Sequence, residues 1–153
     1  MKRIVLFLLA FVTAASLSAP GHADDRTIYI RHDRGGDVGL YQIKAQVARE
    51  LKLNVVIDGL CASACTLLVG LPKAQVCATG RARLHFHRAR LARPMKNGRA
   101  LLRRTNADIL SSYPAGIRRW ITRHGGLGDR MLKMEPADVA RYLPPCPPAP
   151  MLF

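Results

Sequence analysis

The sequence predicts an α/β protein with a largely parallel sheet, and three observations lead there. Segments of strand character alternate with segments of helical spacing, the order that builds parallel sheets. One strand segment, "NVVID" (54–58), carries few charges, as expected of a strand covered on both faces. Glycines stand where strands give way to the next element, in "RGGD" (34–37) and at Gly59.

Each element has its own justification. "TIYIRHD" (27–33) alternates β-branched and aromatic residues with others and reads as the first strand. "VGLYQIKAQVAREL" (38–51) places Leu40, Ile43, Val47 and Leu51 at helical spacing, with Asp37 as N-cap. After the second strand and Gly59, "SACTLLVGL" (63–71) reads as a short buried helix ended by Pro72. "AQVCAT" (74–79) and "ARLHFH" (82–87) are two further strands. Pro94 and Asn97–Gly98 make 88–99 a basic loop. Helical patterns resume in "ALLRRTNADILSSY" (100–113) and in "PAGIRRWITRH" (114–124), where Ile117, Trp120 and Ile121 share a core-facing side. "GGLG" (125–128) is a turn, "DVARYL" (138–143) a last helical turn, and "PPCPPAP" (144–150) a proline-rich end; no internal repeat is present.

At 153 residues the chain has the length of one domain. Its first part reads as a signal peptide over 1–23. "MKR" is a basic start, "IVLFLLAFVTAASL" an apolar run too short to span a bilayer, and Gly21 and Ala23 suit cleavage before Asp24. The α/β domain then covers 24–146 and a proline-rich tail 147–153. The expected location is the periplasm or the exterior. In such an oxidising compartment the four cysteines Cys61, Cys65, Cys77 and Cys146 form two disulfides, with three pairings open. Rigid structure between Cys61 and Cys65 would hold their side chains apart, so Cys65 with Cys77 and Cys61 with Cys146 is the favoured arrangement.

The net charge is +14, and removing Lys2 and Arg3 with the leader leaves +12. The densest run is 81–104, with Arg81, Arg83, Arg88, Arg90, Arg93, Lys96, Arg99, Arg103 and Arg104. Such a surface attracts polyanions. For an exported protein these are envelope lipids, polysaccharides or acidic peptides, and no nucleic-acid-binding motif accompanies the charge. A solvated arginine-rich surface that keeps the protein soluble is the plainer account.

Three features fall at strand ends, where α/β folds place chemistry. Gly35 and Gly36 follow the first strand, Ser63 stands where the second gives way to a helix, and His87 ends a later one. A serine hydroxyl becomes a nucleophile when an imidazole takes its proton. Glycine amides and the N–H of Ala64 at a helix N-terminus could then hold the oxyanion. Each feature also has an ordinary explanation: Ser63 as a helix cap, His87 as a core histidine, Gly35–Gly36 as a turn. Cys61, Cys65, His85 and His87 could form a Cys₂His₂ zinc site, but the C-x₃-C and H-x-H spacings are unusual for zinc. A thiol nucleophile at Cys61 or Cys65 is a further alternative. No cofactor is implied.

"GG" after a strand, then "GLCAS" (59–63), then "LHFH" (84–87), resembles the Clp-protease/crotonase superfamily. That superfamily shows a Gly-Gly oxyanion loop, a "G-x-A-A-S" nucleophile turn and a histidine ending the next β-segment. "DRGGDV", "GLCASACT", "CATGRARLHFH", "YPAGIRRWI", "GGL" and "YLPPC" further resemble a group of exported Clp-fold-like proteins, over nearly all of the mature region. The resemblance implies a small, truncated Clp/crotonase-like fold with Ser63 as nucleophile, His87 as base, and Gly35, Gly36 and Ala64 around the oxyanion. It also implies a peptide or acyl substrate and assembly into homo-oligomers. Three departures stand out. His85 replaces a glycine and would face the same way as His87. Little chain precedes the first strand, so an earlier strand of the fold is missing. The acid is unassigned between Asp129 and Asp138, with Asp129 preferred because it follows a glycine turn. Two functions follow: an exported serine hydrolase or peptidase, or an inactive envelope protein binding an anionic component or partner through its arginine-rich surface.

Overall fold

A computed structural model describes residues 26–147. Residues 1–25 and 148–153, which include the expected leader and most of the proline-rich tail, lie outside the described residues. The chain is α/β, with a mixed sheet that is parallel except for one pair. In order it forms β1 (Thr27–Asp33), α1 (Val38–Glu50), β2 (Asn54–Ala62), a 3₁₀ helix (Ser63–Gly70), β3 (Val76–Ala78) and β4 (Arg83–Phe86). Then come α2 (Gly98–Ser112), α3 (Ala115–Arg123), β5 (Leu132–Met134) and the short α4 (Pro136–Val139). The elements expected from sequence are present, with two differences. β2 runs on through Gly59 to Ala62, where a break was expected, because neighbouring strands pair with it there. β5 is an addition whose three residues are too few to show an alternation.

β2 organises the sheet. It pairs in parallel with β1 along its length, with β3 through Val55–Ile57, and with β4 through Leu60–Ala62. β5 closes the far side antiparallel to β4. β1 pairs only with β2, so among the described residues its outer edge carries no strand.

The buried side chains form one cluster. Ile30, Val55, Ile57, Cys61, Leu84, Phe86 and Met134 project from the sheet toward Tyr41, Ala45 and Ala48 of α1, the 3₁₀ helix, and Ile109, Ile117, Trp120 and Ile121 of α2 and α3. Ile117, Trp120 and Ile121 are core residues, as expected. Phe86 meets the ring of Tyr113 edge-on, with centroids 5.3 Å apart.

Two expectations are corrected. β2 was expected to be covered on both faces, yet its burial alternates, and Val56, Asp58 and Leu60 are only half-buried. The C-terminal segment lies along β3, with Ala78 N–H bonded to Pro144 O (2.9 Å) and Cys146 N–H to Ala78 O (3.1 Å). In α1, the buried residues are Tyr41, Ala45 and Ala48, whereas Leu40, Ile43, Val47 and Leu51 are 50%, 60%, 42% and 59% exposed. Small alanines let the helix lie close against the 3₁₀ helix, and the larger aliphatic row is turned aside. Asp37 does cap the helix, accepting Leu40 N–H at 2.8 Å.

The cysteines also pair differently from the expectation. Cys61 bonds Cys65 and Cys77 bonds Cys146. The chain reverses direction immediately after Ala62, which folds Cys65 back over Cys61 with 5.4 Å between their Cα atoms. Cys77, on β3, is reached by the C-terminal segment running beside that strand. Two disulfides are consistent with folding in an oxidising compartment.

Candidate active site

Ser63 stands at a sharp elbow between β2 and the 3₁₀ helix. Ala62 before it is extended, and Ser63 itself has φ = 56°, a left-handed conformation costing a non-glycine residue about 1–2 kcal/mol. A strained strand-to-helix turn of this kind pushes a hydroxyl out at the top of a sheet. The elbow is braced from within. Buried Thr66 donates to Ser63 O at 2.6 Å, and its hydroxyl also bonds Tyr113 OH at 2.7 Å. The Cys61–Cys65 bridge ties the last turn of β2 to the first turn of the helix.

The glycine loop after β1 presses against this elbow. Gly35 has φ = 80°, and a Cβ added there would lie 2.5 Å from Ala62 O, 2.7 Å from Ala64 N and 2.8 Å from Ser63 Cβ. Only a glycine backbone can approach Ser63 so closely. Asp33, the last residue of β1, pins the loop. Its carboxylate accepts Tyr41 OH at 2.6 and 2.7 Å and Gly35 N–H at 2.8 Å. The Gly35 N–H is thereby spent, which corrects its place among the oxyanion donors. Gly36 N–H and the helix-terminal Ala64 N–H remain as candidates.

His87 follows β4, the strand beside β2. The register opposes Ala62 to His85, so Ser63 and His87 lie just past the paired ends of neighbouring parallel strands, which run about 4.8 Å apart. The His87 Nδ1 lies 2.6 Å from Arg88 O. A carbonyl only accepts, so Nδ1 carries a proton, and this selects the tautomer whose Nε2 is bare when the ring is neutral. Among the described residues no hydrogen bond joins Ser63 Oγ to that ring.

Among the described residues no hydrogen bond joins Asp129 to the His87 ring. Arg88 holds its carboxylate through Nε at 2.9 Å and Nη2 at 2.8 Å, with Arg90 Nε at 3.5 Å. Asp138 faces Arg141 at 3.9 Å. His85 lies between Ala62 and Lys133 in register, with its Nε2 buried and unpartnered; burial is the main cause that lowers its pKa. With Cys61 and Cys65 joined to each other, neither sulfur is available to zinc or as a thiol nucleophile.

Sequence reasoning missed Asp33, Tyr41, Thr66 and Tyr113. An aspartate directly before a glycine pair is the one local signal that could have found the first. The two tyrosines carry a testable consequence. Burial raises both to about 12, and the Asp33 carboxylate adds to the rise at Tyr41. An unfolded phenol ionises near 10. The unfolded state therefore loses protons first, and stability, full below pH 10, falls between pH 10 and 12. Denaturant midpoints measured across that range should drop in the native protein, and Tyr113→Phe should flatten the drop. A midpoint constant from pH 9 to 12 would contradict this.

Compared with protein-family models and with curated proteins, the chain matches none.

Proposed function

We propose that this chain is an exported serine hydrolase-like protein of Clp/crotonase type, cleaving a peptide or acyl bond through Ser63 and His87. The reading rests chiefly on the left-handed Ser63 with the Gly35 backbone packed against it. Such strain persists where the surroundings over-determine it, and it clusters at reactive sites. In this scheme His87 Nε2 takes the Ser63 proton as Oγ attacks the carbonyl carbon. The oxyanion meets Gly36 and Ala64 N–H, and the imidazolium then protonates the leaving group. Water repeats the sequence to release the acyl group. The Arg88 carbonyl, a neutral dipole, does for His87 what a carboxylate does in a full triad: it selects the tautomer. It stabilises the imidazolium less, so slow turnover is expected.

One observation favours a second reading. The preferred acid, Asp129, is engaged by two arginines instead of by His87. That suits an inactive descendant which binds an anionic envelope component through its basic surface. Labelling with a serine-directed fluorophosphonate separates the two. The hydrolase predicts labelling of native protein that Ser63→Ala abolishes and His87→Ala cuts roughly a hundredfold. Unlabelled native protein that binds anionic polysaccharide with a steep salt dependence would establish the second reading instead.

A further inference from the structure

The apolar row on α1 is the feature of this molecule that the site leaves unexplained. At 100° per residue, Leu40, Ile43, Val47 and Leu51 fall within about 80° of arc. That arc is centred well away from the buried Tyr41, Ala45 and Ala48. On the other flank of the helix, Gln42, Gln46 and Arg49 line a cleft with Leu67, Asp108 and Ser112. The row thus points away from the rest of the fold, on the side where β1 forms the outer strand of the sheet. Ile28, on the helix-bearing face of β1, adds a further 37%-exposed aliphatic side chain. Thr27–Ile30 beside it is regular strand, without proline, and its outer edge is unpaired among the described residues.

We propose that this face, the α1 row with the β1 edge, is the contact between two copies of the chain related by a two-fold axis. Three considerations select a second copy as occupant. A strand edge asks for another strand, and a two-fold axis brings the same edge and the same aliphatic row together from both sides. Five half-exposed aliphatic side chains offer on the order of 400 Å² of apolar surface per copy, about half of a standard interface partner's area. The strand edge and the polar rim supply the remainder. Charge distribution is the third. Most of the basic run 81–104 lies on β4, the following loop and α2, beyond β2 from β1, so pairing at β1 keeps those charges apart. Arg31 of β1 and Arg81 are both offset by the Asp58 carboxylate between them. A membrane-docking helix would carry basic residues along both borders of its apolar row. Here Lys44 stands on one border, held over the Tyr41 ring at 4.2 Å, and Glu50 on the other.

The test is the mass of disulfide-intact protein in sedimentation velocity at micromolar concentration. Native protein should run as a dimer. Val47→Glu should weaken dimerisation at least about a hundredfold while far-ultraviolet circular dichroism stays native. Leu101→Glu, at a 46%-exposed apolar position on α2, should leave the dimer intact. A monomeric native protein, a Val47→Glu dimer, or equal loss in Leu101→Glu would overturn the proposal. Should Val47→Glu fail to fold, hydrogen exchange of native protein decides. The amides of Thr27–Ile30 must become more protected as concentration rises, and unchanged protection overturns the dimer. So does native protein that stays monomeric and co-sediments with anionic phosphatidylglycerol vesicles.

Discussion

Gly35→Ala is expected to lose about 3–5 kcal/mol of stability and to cut fluorophosphonate labelling roughly a hundredfold. Two costs combine. The left-handed backbone penalises any side chain, and the added methyl meets Ala62 O at 2.5 Å and Ala64 N at 2.7 Å. Both contacts are backbone, and that backbone is the elbow itself, held by Thr66 and by the Cys61–Cys65 bridge. The clash is therefore relieved by moving the glycine loop away from Ser63, which takes Gly36 N–H with it. Gly80→Ala is the control, because a Cβ there meets nothing within 4 Å. Denaturant midpoints and labelling rates of the two variants give the answer. Near-native stability in Gly35→Ala would mean that the loop does not press on the elbow.

Replacing Cys77 and Cys146 together by alanine should lower stability by about 4 kcal/mol. The bridge spans 69 positions, so it removes much of the unfolded chain's freedom. The Cys61–Cys65 bridge spans only four and contributes about 2 kcal/mol by the same reasoning. The larger effect has a local signature. Without its anchor the C-terminal segment no longer shields β3, and the Ala78 and Cys146 amides should exchange at least about tenfold faster. Equilibrium unfolding together with exchange at those amides checks both parts. A loss below about 1 kcal/mol would show that the unfolded chain is already restrained without the bridge.

These variants also mark where sequence reasoning held. The strand–helix alternation was legible because its periods are local. β1 alternates, Asp37 announces α1, and Pro72 ends the segment after the elbow. The approach of Gly35 to Ser63 was legible for a related reason: in a parallel sheet, residues that follow neighbouring strands lie at the same end of it. The buried side of α3 was legible too, in Ile117, Trp120 and Ile121, but that of α1 was not. Leu40, Ile43, Val47 and Leu51 have the right spacing for a core face, yet the alanines are buried instead. The disulfides failed likewise, because a reversal at a single residue, Ser63, sets the distance between Cys61 and Cys65.

By itself, then, the sequence determined the α/β class, the order of elements, the cysteines as bridge formers and the strand-end position of Ser63, Gly35 and His87. Tertiary structure alone decided the cysteine pairing, the burial of Ala45 and Ala48, the engagement of Asp129 by arginines, and the pinning of the glycine loop by Asp33 and Tyr41. The physical reason is that propensity and periodicity act over a few residues. Pairings across 41 or 69 positions depend on how helices and loops settle against the sheet, and no local pattern encodes that.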